Sequence, residues 1–380
     1  MIAGGGPVGA ALALGLRGSP VDPLLLEAQP APGAADDSRF LALSFGSRLI
    51  LERLGVWPQI ESCATPIRSI EVSQRGGFGC TVLEAEEVRL PALGHVVRYR
   101  ELARILADAL AAAPARCVNG VTVSDVRSIR GLVAVDCEVA GEARLVSASL
   151  VALADGGRSL AAKGGSFAPL VRDYRQWAVV AWAHTGSGHG YRAYERFTPS
   201  GPAALLPADD GYSIVLTLSE AESERLCLAS DAEFFAHLRE TFGERAAALT
   251  GCTPRARFPL ALRYAEAITS EHLVLIGNAA QTLHPVAGQG FNLGLRDAWA
   301  LARIALDTPP AHLGSRAMLA RYRRERARDR TAGILLTDSL VRLFSNDRGW
   351  LRSARGLGLT MLDLSGAPKR FLMRRMMFGA

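Results

Sequence analysis

The stretch IAGGGPVGAALALGLRG, residues 2–18, has the pattern of a short apolar strand, a glycine turn and a helix, and a second apolar strand, VDPLLLEA, follows at residues 21–28. Within it, Gly4, Gly6 and Gly9 form the motif G-x-G-x-x-G. The first glycine of this motif permits a tight turn, the second lets a pyrophosphate approach the backbone, and the third lets the helix pack closely on the strand. The free N–H groups at the helix N-terminus also favour an anion. The stretch therefore predicts a dinucleotide-binding site at the start of an α/β fold.

Glu27 ends the second strand, 18 residues beyond Gly9. A carboxylate at this position accepts a hydrogen bond from a ribose hydroxyl and repels a 2′-phosphate. A glycine-rich turn with a purely structural role is the alternative to a nucleotide site. Only residues 1–3 precede Gly4, and this first strand is shorter than the fold normally requires, so the sequence suggests a truncated start.

The composition is typical of a folded protein with a large core. The chain has 380 residues and 49% hydrophobic content, enough for one elaborate domain or two closely joined domains. It has neither a basic segment followed by an apolar run at its start nor any run of about 18 apolar residues, so we expect a cytoplasmic protein without a membrane span. Six cysteines without a CxxC pair favour reduced thiols. We predict no metal site, although His184 and His189 lie close together in HTGSGH.

The positive charge of the chain is concentrated at its C-terminal end. The formal net charge is +6, and residues 341–380 carry eight cations and two anions, so residues 1–340 sum to zero. Large apolar residues such as Trp350 and Phe371 lie between the cations. This composition is typical of a helix that lies on an anionic membrane surface. An arginine-rich helix that caps the core is the alternative, and nucleic acid is disfavoured because no lysine-rich tract or aromatic stacking platform is present.

Segments with helical and with strand periodicity alternate along the chain. Helical patterns at 38–54 and 95–113 are separated by short strands, and a long strand-rich stretch with one helix leads to the buried strand LVLI at 273–276. The alternation predicts an α/β nucleotide-binding domain in three pieces, with a β-rich domain inserted twice. The predicted boundaries are 1–65, 93–165 and 267–340 for the nucleotide-binding domain, 66–92 and 166–266 for the β-rich domain, and 341–380 for a basic amphipathic C-terminal tail.

Two further motifs accompany GGGPVG at 4–9. ADGGRS occupies 154–159, and GNAAQTLHPVAGQGFNLGLRDA occupies 277–298, directly after the buried strand. Four glycines, a His-Pro step and an asparagine so close together indicate that a ligand lies against the backbone. The three motifs together resemble the aromatic-ring hydroxylase family of class A flavin monooxygenases, which pairs G-x-G-x-x-G with a D-G motif and a G-D-A-A-H-x-x-x-P motif.

The resemblance covers essentially the whole chain and is strongest to the ubiquinone-biosynthesis hydroxylases, in particular the 2-octaprenyl-6-methoxyphenol hydroxylase branch. Asn278 and Gln281 stand where the wider family has Asp and His. The ending VRLFSN and GLGLTMLDLSGAPKRFLM is similar to that branch too. The implied architecture is a Rossmann-like FAD-binding domain with an inserted β-rich substrate domain and a helical C-terminal tail.

The resemblance also implies a function. FAD is the cofactor and NAD(P)H the transient electron donor; the reduced flavin reacts with O2 to give a C4a-hydroperoxide, which transfers oxygen to an electron-rich ring. The implied substrate is a prenylated phenol, other quinone-biosynthesis proteins are implied partners, and the tail implies peripheral attachment at the inner face of the membrane. A hydroxylase of another aromatic substrate and a non-catalytic flavin-binding member of a biosynthetic complex are the alternatives.

The third motif is implied to hold the flavin through its backbone. Gly288, Gln289 and Gly290 lie against the isoalloxazine ring, where glycine leaves room for it. The N–H groups at the start of the helix from Asn292 to Ala300 face the N1–C2=O edge, which becomes anionic on reduction.

The start of the third motif and its His-Pro step are also implied to contact the cofactor. The family has an Asp beside Gly277 that accepts from a ribityl hydroxyl of FAD, and Asn278 can accept through its side-chain carbonyl instead. His284 and Pro285 lie beside the flavin by family position. A role for His284 in removing the phenol proton is one interpretation, and a packed loop histidine is the other.

Three further residues match family positions that bind FAD. Asp155 lies in the D-G motif, which touches FAD and has been linked to NAD(P)H; an Asp-Gly turn that closes a strand is the alternative. Arg39 and Arg100 match basic residues that approach the FAD phosphates and the flavin side of the site; a surface arginine is the alternative for each. The resemblance implies no obligate nucleophile, because the cofactor carries the difficult chemistry.

Overall fold

The computed structural model describes residues 1–30, 37, 39–113, 116–129, 131–157, 167–346 and 349–379. The strands, in chain order, are β1 (Ile2–Ala3), β2 (Leu24–Glu27), β3 (Phe40–Ser44), β4 (Thr65–Ile67), β5 (Ser69–Gln74), β6 (Cys80–Glu84), β7 (Gly94–Arg98), β8 (Arg116–Asn119), β9 (Val121–Ile129), β10 (Leu132–Val139), β11 (Glu142–Ala148), β12 (Val151–Leu153), β13 (Pro169–Thr185), β14 (Arg192–Thr198), β15 (Gly201–Ala208), β16 (Gly211–Leu218), β17 (Leu249–Cys252), β18 (Ala256–Ala265), β19 (Thr269–Ser270), β20 (Leu273–Leu275) and β21 (Gln281–Thr282). The α-helices are α1 (Pro7–Gly15), α2 (Phe45–Arg53), α3 (Trp57–Glu61), α4 (Tyr99–Ala111), α5 (Glu220–Leu228), α6 (Asp231–Phe242), α7 (Gln289–Leu306), α8 (Arg316–Phe344), α9 (Gly349–Leu364) and α10 (Gly366–Phe378).

Six strands form the sheet that carries the glycine turn, in the order β19-β20-β12-β1-β2-β8. Its strand pairs are parallel except β19 with β20. Helix α1 connects β1 to β2, and its residues 10–14 are buried, as expected for the crossover that parallel strands require. Helix α7 packs on α1 so closely that a Cβ at Gly15 would lie 2.9 Å from the Cβ of Ala302.

A second, larger sheet has the order β21-β18-β13-β16-β15-β14-β5-β6, with β17 paired to β13. Its pairs are antiparallel except β14 with β5. One face of this sheet packs on α5 and α6 through a buried apolar cluster, which includes Val179, Leu205, Ile214, Leu216, Leu226, Phe234, Leu238 and Phe242. Because side chains alternate between the two faces of a strand, the intervening residues point to the opposite face, which lines the cavity described below.

Two small sheets complete the fold. Strands β9, β10 and β11 form an antiparallel meander, and β3, β7 and β4 form a sheet in the order β3-β7-β4. The second of these sheets matters for the site, because β3 brings Ala42 to 3.0 Å from the position that a Cβ at Gly288 would occupy.

The basic C-terminal helices are partly built into the core. Arg355 is buried and donates from Nη1 to the backbone carbonyls of Leu343, at 3.2 Å, and Phe344, at 3.0 Å, near the end of α8. Lys369 is also buried, and its Nζ lies 2.8 Å from a carboxylate oxygen of Glu87. Burial alone would lower the pKa of Lys369, but Glu87 and a second carboxylate raise it above its ordinary value. Lys369 therefore ties the tail to the body of the protein, while Arg355 holds α9 against the end of α8.

The outer side of the same helices carries exposed apolar side chains. Trp350, Leu357, Met361 and Leu364 form one stripe along α9 and are between 56% and 82% exposed. Among the described residues, no helix combines the length and the apolar character needed to cross a bilayer. The architecture confirms the predicted α/β class with C-terminal helices, and the exact domain boundaries stay a prediction.

Candidate functional site

One continuous cavity of about 1160 Å³ is lined by residues of both large sheets and of the C-terminal helices. Ligand pockets for small molecules are usually about 300–1,000 Å³. The residues of all three glycine motifs contribute to its wall. The cavity is thus large enough for a dinucleotide, and it extends beyond the motifs into an apolar region.

The G-x-G-x-x-G turn borders this cavity, and its three glycines have different surroundings. Gly4 has a φ of +112°, and a Cβ there would lie 2.5 Å from the carbonyl oxygen of Ala154. A Cβ at Gly9 would lie 3.1 Å from the carbonyl carbon of Gly4 and closer still to its oxygen. A Cβ at Gly6, by contrast, would meet no atom within 4 Å. The first and third glycines therefore serve close packing, and the second faces open space.

The carboxylate of Glu27 braces the same turn. It accepts from the N–H of Gly5 at 2.5 Å and from the N–H of Gln29 at 2.8 Å. A carboxylate offers about four lone-pair sites, so Glu27 retains capacity to accept from a ribose hydroxyl. The hydrogen bond from Gly5 to Glu27 was not predicted from the sequence, because Gly5 is not one of the three glycines of the G-x-G-x-x-G motif.

The Gly277 turn rests on a buried polar network beneath the cavity wall. Its N–H and the side-chain amide of Gln281 both donate to one oxygen of Asp297, at 3.2 and 2.7 Å, while Arg326 donates to the other oxygen at 2.7 Å. Asp297 is 1% exposed and Arg326 is 5% exposed. Burial alone would lower the pKa of Arg326, but the carboxylates of Asp297 and Asp329 raise it. The network fixes the turn, and its two charged members were not identified from the sequence.

Asn278 follows this turn and is exposed at the cavity wall. Gly157, of the D-G motif, packs against it, since a Cβ at Gly157 would lie 2.8 Å from the carbonyl oxygen of Asn278. Asp155 also lines the cavity, and its Oδ1 accepts from the N–H of Gly157 at 3.0 Å. The second and third motifs therefore meet at one wall. Arg158, which completes ADGGR, lies outside the described residues.

His284 adjoins the cavity and is 1% exposed. Its Nδ1 accepts from the N–H of Val286 at 3.2 Å, and its buried Nε2 has no partner among the described residues. Burial lowers the pKa of His284 to about 4. The ring is therefore neutral near pH 7, and because Nδ1 is an acceptor, the proton resides on Nε2.

This tautomer disfavours the interpretation of His284 as a base, and the catalytic role of His284 stays a prediction. A base needs a free lone pair, and Nε2 carries the proton instead, so His284 is a hydrogen-bond donor. The ring packs edge-to-face on Tyr174, with centroids 5.6 Å apart, which fixes its orientation. Pro285, the next residue, lines the cavity.

Residues 288–290, which are predicted to face the flavin, have two different surroundings: two of them line the cavity, and the third bonds to a C-terminal helix. Gly288, with a φ of +60°, and Gly290 line the cavity, and a Cβ at Gly290 would meet no atom within 4 Å. The side chain of Gln289 is buried and donates to the carbonyl oxygen of Met376 at 3.3 Å. The chain thus presents glycine backbone to the cavity and turns Gln289 toward α10.

The side chain of Asn292 forms hydrogen bonds within the protein and does not line the cavity. Its Oδ1 accepts from the N–H of Ser44 at 2.8 Å and from the hydroxyl of Ser47 at 2.7 Å. Its Nδ2 donates to the carbonyl oxygens of Ala42, at 2.9 Å, and Gly288, at 2.6 Å. All four hydrogen-bonding sites of the amide are occupied by the protein, so Asn292 holds the start of α7 against β3 and α2.

The two predicted arginines both reach the cavity. Arg39 pairs with Asp37 at 2.5 Å, and its guanidinium lies 5.2 Å from the ring centroid of Phe258. Arg100, in the first turn of α4, is half exposed and lies 3.8 Å from Glu101. The side chains of both arginines are about half exposed, so each is accessible to an anionic ligand.

The rest of the cavity wall is mainly apolar and was not predicted. It is formed by the inner face of the nine-stranded sheet and by the C-terminal helices, through Ile70, Val72, Val180, Phe197, Leu206, Val215, Leu336, Leu340, Leu343, Phe344, Leu351, Leu359 and Leu362. The alternation of apolar residues in β14 to β16 could have indicated the part of the wall that the sheet forms. The apolar residues that the C-terminal helices contribute could not be assigned to the same cavity without the fold.

The family model described as FAD binding domain matches residues 1–333. The chain belongs to this family of FAD-binding proteins, which confirms the predicted cofactor and the resemblance to flavin monooxygenases.

Several relatives over nearly the full length carry the names of ubiquinone-biosynthesis hydroxylases. The ubiquinone hydroxylase UbiL of Rhodospirillum rubrum is 31% identical over 99% of this chain and 89% of its own length. The 3-demethoxyubiquinol 3-hydroxylase of Escherichia coli is 33% identical over 97% of this chain and 95% of its own length. The p-nitrophenol 4-monooxygenase PnpA of Pseudomonas putida, 18% identical over 100% of this chain and 97% of its own, superposes with a TM-score of 0.81. The last of these supports the fold alone.

Proposed function

We propose that the protein is an FAD-dependent monooxygenase that hydroxylates the ring of a prenylated phenol in ubiquinone biosynthesis, with NAD(P)H as electron donor and O2 as co-substrate. The observation that carries the proposal is the continuity of the cavity, whose wall contains the glycine motifs and an extended apolar surface. The names of the relatives agree with this substrate class.

The residues present fit FAD. The open space at Gly6 suits a pyrophosphate close to the backbone, and the N-terminus of α1 has no side-chain cap that would compete for it. Glu27 would accept from the ribose, and Arg39 and Arg100 would face the phosphates and the flavin side. When bound, FAD supplies the redox chemistry that activates oxygen.

The remaining motif residues would hold the flavin end. Asn278 would contact the ribityl chain, Asp155 would contact FAD at the adjoining wall, and the backbone of Gly288 and Gly290 would lie against the ring. No side chain caps the N-terminus of α7, so its N–H groups are available to a developing negative charge. The neutral His284 would donate a hydrogen bond from Nε2.

The protein would do three things for the substrate. The apolar wall removes the prenyl group from water, which contributes roughly 25 cal/mol per Å² of buried apolar surface. The same wall keeps bulk water from the reacting ring. The sheet and the Pro285 loop orient the ring toward the flavin.

We also propose that the C-terminal helices attach the protein to a membrane surface. Trp350 and Leu364 of α9 and Phe371 of α10 are 70%, 82% and 68% exposed, and Arg352 and Arg370 are exposed beside them. Apolar side chains with adjacent cations are the features of a peripheral anionic-membrane anchor. Contact with other quinone-biosynthesis proteins remains a prediction from the family.

The function is tested with purified protein, FAD, NADH or NADPH, and phenols that carry prenyl chains of increasing length. We expect NAD(P)H-dependent formation of a ring-hydroxylated product, with the long-chain phenols preferred. Equal turnover of unprenylated phenols would favour a hydroxylase of another aromatic substrate. FAD binding without product from any phenol would favour the non-catalytic role in a biosynthetic complex.

A further inference from the structure

The cavity wall contains one carboxylate away from the glycine motifs. Among the described lining residues, the acidic side chains are those of Glu27, Asp155 and Glu195. The first two lie at the nucleotide motifs, as described above. Glu195 lies on β14, in the apolar part of the wall.

The register of the sheet defines the surroundings of Glu195. Its direct partners are Ala204 on β15 and Val72 on β5, and its neighbours on the same face of β14 are Ala193 and Phe197. All four line the cavity and all four are apolar. Glu195 therefore places a carboxylate at the centre of an apolar patch.

A carboxylate in an apolar wall is costly unless it is paired or hydrogen-bonded. Glu195 is half-buried and takes part in an interaction within the protein. A carboxylate can accept about four hydrogen bonds, so such an interaction leaves capacity for a ligand. An O–H donor in the cavity would meet a carboxyl acceptor there, with apolar side chains at the paired positions of β5 and β15.

Glu195 is also close to the loop that would face the flavin. Phe197, two residues along the same face, is about 7 Å away by strand geometry. The ring of Phe197 stacks on that of Phe344, with centroids 3.8 Å apart, and both belong to the apolar cluster that contains Val286. Val286 directly follows Pro285. An aromatic ring next to Glu195 would thus lie between the sheet and this loop.

We propose that Glu195 accepts the hydrogen bond of the substrate phenol O–H and so selects hydroxylated rings and fixes their orientation in the cavity. The inference rests on the proposed function, because it names the substrate contact of that site. Hydrogen bonds from O–H to a carboxylate are short and roughly twice as strong as neutral ones. A phenol that donates to a carboxylate also gains phenolate character, which makes the ring more electron-rich at the positions ortho and para to its oxygen.

The test compares 2-geranylphenol with its methyl ether, which has the same chain but no O–H. Dissociation constants for both are measured with the FAD-loaded protein from the change in flavin absorbance, for wild type, Glu195→Ala, Glu195→Gln and the control Glu138→Ala, which removes an exposed carboxylate on β10. We expect wild type and the control to prefer the phenol by about 10- to 100-fold. Glu195→Ala should reduce this preference to less than about threefold with little change for the ether, and Glu195→Gln should be intermediate.

Two results would overturn the assignment. The first is a Glu195→Ala protein that keeps the wild-type preference for the phenol, and the second is an equal loss of affinity for both compounds, which is the signature of a structural role. The isosteric Glu195→Gln variant supplies the same comparison if the alanine variant does not fold. Failure of the proposed function gives a different pattern, since wild type would then form no hydroxylated product from 2-geranylphenol even where the phenol preference depends on Glu195.

Discussion

The substitutions Gly6→Ala and Gly9→Ala are expected to separate cofactor binding from folding. Each adds one methyl group to the same turn, but the two methyl groups enter different surroundings. At Gly6 the new Cβ meets no atom within 4 Å, and the backbone, with φ −60° and ψ 173°, is ordinary for alanine. At Gly9 the Cβ overlaps the carbonyl group of Gly4 and lies 3.4 Å from the Cβ of Ala154.

These surroundings determine how much each substitution should change the free energy of unfolding and the affinity for FAD. Overpacking a close contact costs about 1–3 kcal/mol, so Gly9→Ala should lower the free energy of unfolding of the FAD-free protein by at least that amount, because its neighbour is backbone and cannot rotate away. Gly6→Ala should change the same quantity by less than about 0.5 kcal/mol. It should nevertheless weaken FAD binding by about tenfold or more, about 1.4 kcal/mol, because the methyl group fills the space through which the pyrophosphate approaches the backbone.

The assay pairs urea unfolding of the FAD-free variants with FAD titration followed by flavin fluorescence. The expected pattern is a stable Gly6→Ala protein with weak FAD binding and a destabilised Gly9→Ala protein. Wild-type FAD affinity in Gly6→Ala would place the pyrophosphate elsewhere, and wild-type stability in Gly9→Ala would refute the packing argument.

Three further outcomes are expected. Arg326→Leu should lower the free energy of unfolding by about 3–5 kcal/mol in urea titrations, because it leaves buried carboxylates without their cation. The control Arg323→Leu, on the exposed side of α8, should change the free energy of unfolding little. Equal effects of the two substitutions would contradict the buried network. Burial lowers the pKa of His284 to about 4 from about 6.5 in the unfolded chain. The contribution of neutral His284 to the free energy of unfolding is therefore present above pH 6.5 and is lost as the pH falls toward 4, by up to about 3 kcal/mol. A His284→Asn variant should lose less stability over that interval, and identical pH profiles of the two proteins would exclude the effect. Trp350→Ser should weaken binding to anionic liposomes in sedimentation assays at low salt, while Leu145→Ser, an exposed apolar position on β11, should not; equal loss would indicate nonspecific adhesion.

Local motifs were predictable from the sequence because their chemistry depends on short-range backbone geometry. The roles of Gly4 and Gly9 in the turn and the position of Glu27 beside it follow from the spacing of one βαβ unit. Asn278 could likewise be placed at the cavity, because the turn after a buried parallel strand opens at the carboxyl end of the sheet.

Long-range partners were not predictable in the same way. Asn292 was expected to contact the cofactor, but its side chain is occupied by Ser44 and Ser47, which lie on a strand and helix more than 240 residues earlier. The ion pair of Asp297 and Arg326 joins two helices whose packing no local pattern specifies. Such contacts depend on the relative placement of elements that only the folded chain defines.

The C-terminal tail shows why composition alone left two interpretations open. Arg355 and Lys369 are buried cations of the tail, and Lys369 ties the tail to Glu87, while Trp350 and Leu364 are apolar residues that are exposed to solvent. Both the capping and the surface-binding interpretations are therefore compatible with the same helices. Deletion of 341–380 would remove part of the cavity wall, so single surface substitutions are the better probe of membrane binding.

Ring monooxygenation is tested most directly by the fate of molecular oxygen in a single-enzyme reaction. The purified protein, loaded with FAD, is supplied with NADH, a prenylated phenol and ¹⁸O₂, and the organic product is examined by mass spectrometry. From a monooxygenase we expect a ring-hydroxylated phenol that contains one heavy oxygen atom per molecule. Oxidation of NADH with the phenol recovered unchanged, or a hydroxyl group whose oxygen comes from water, would contradict it.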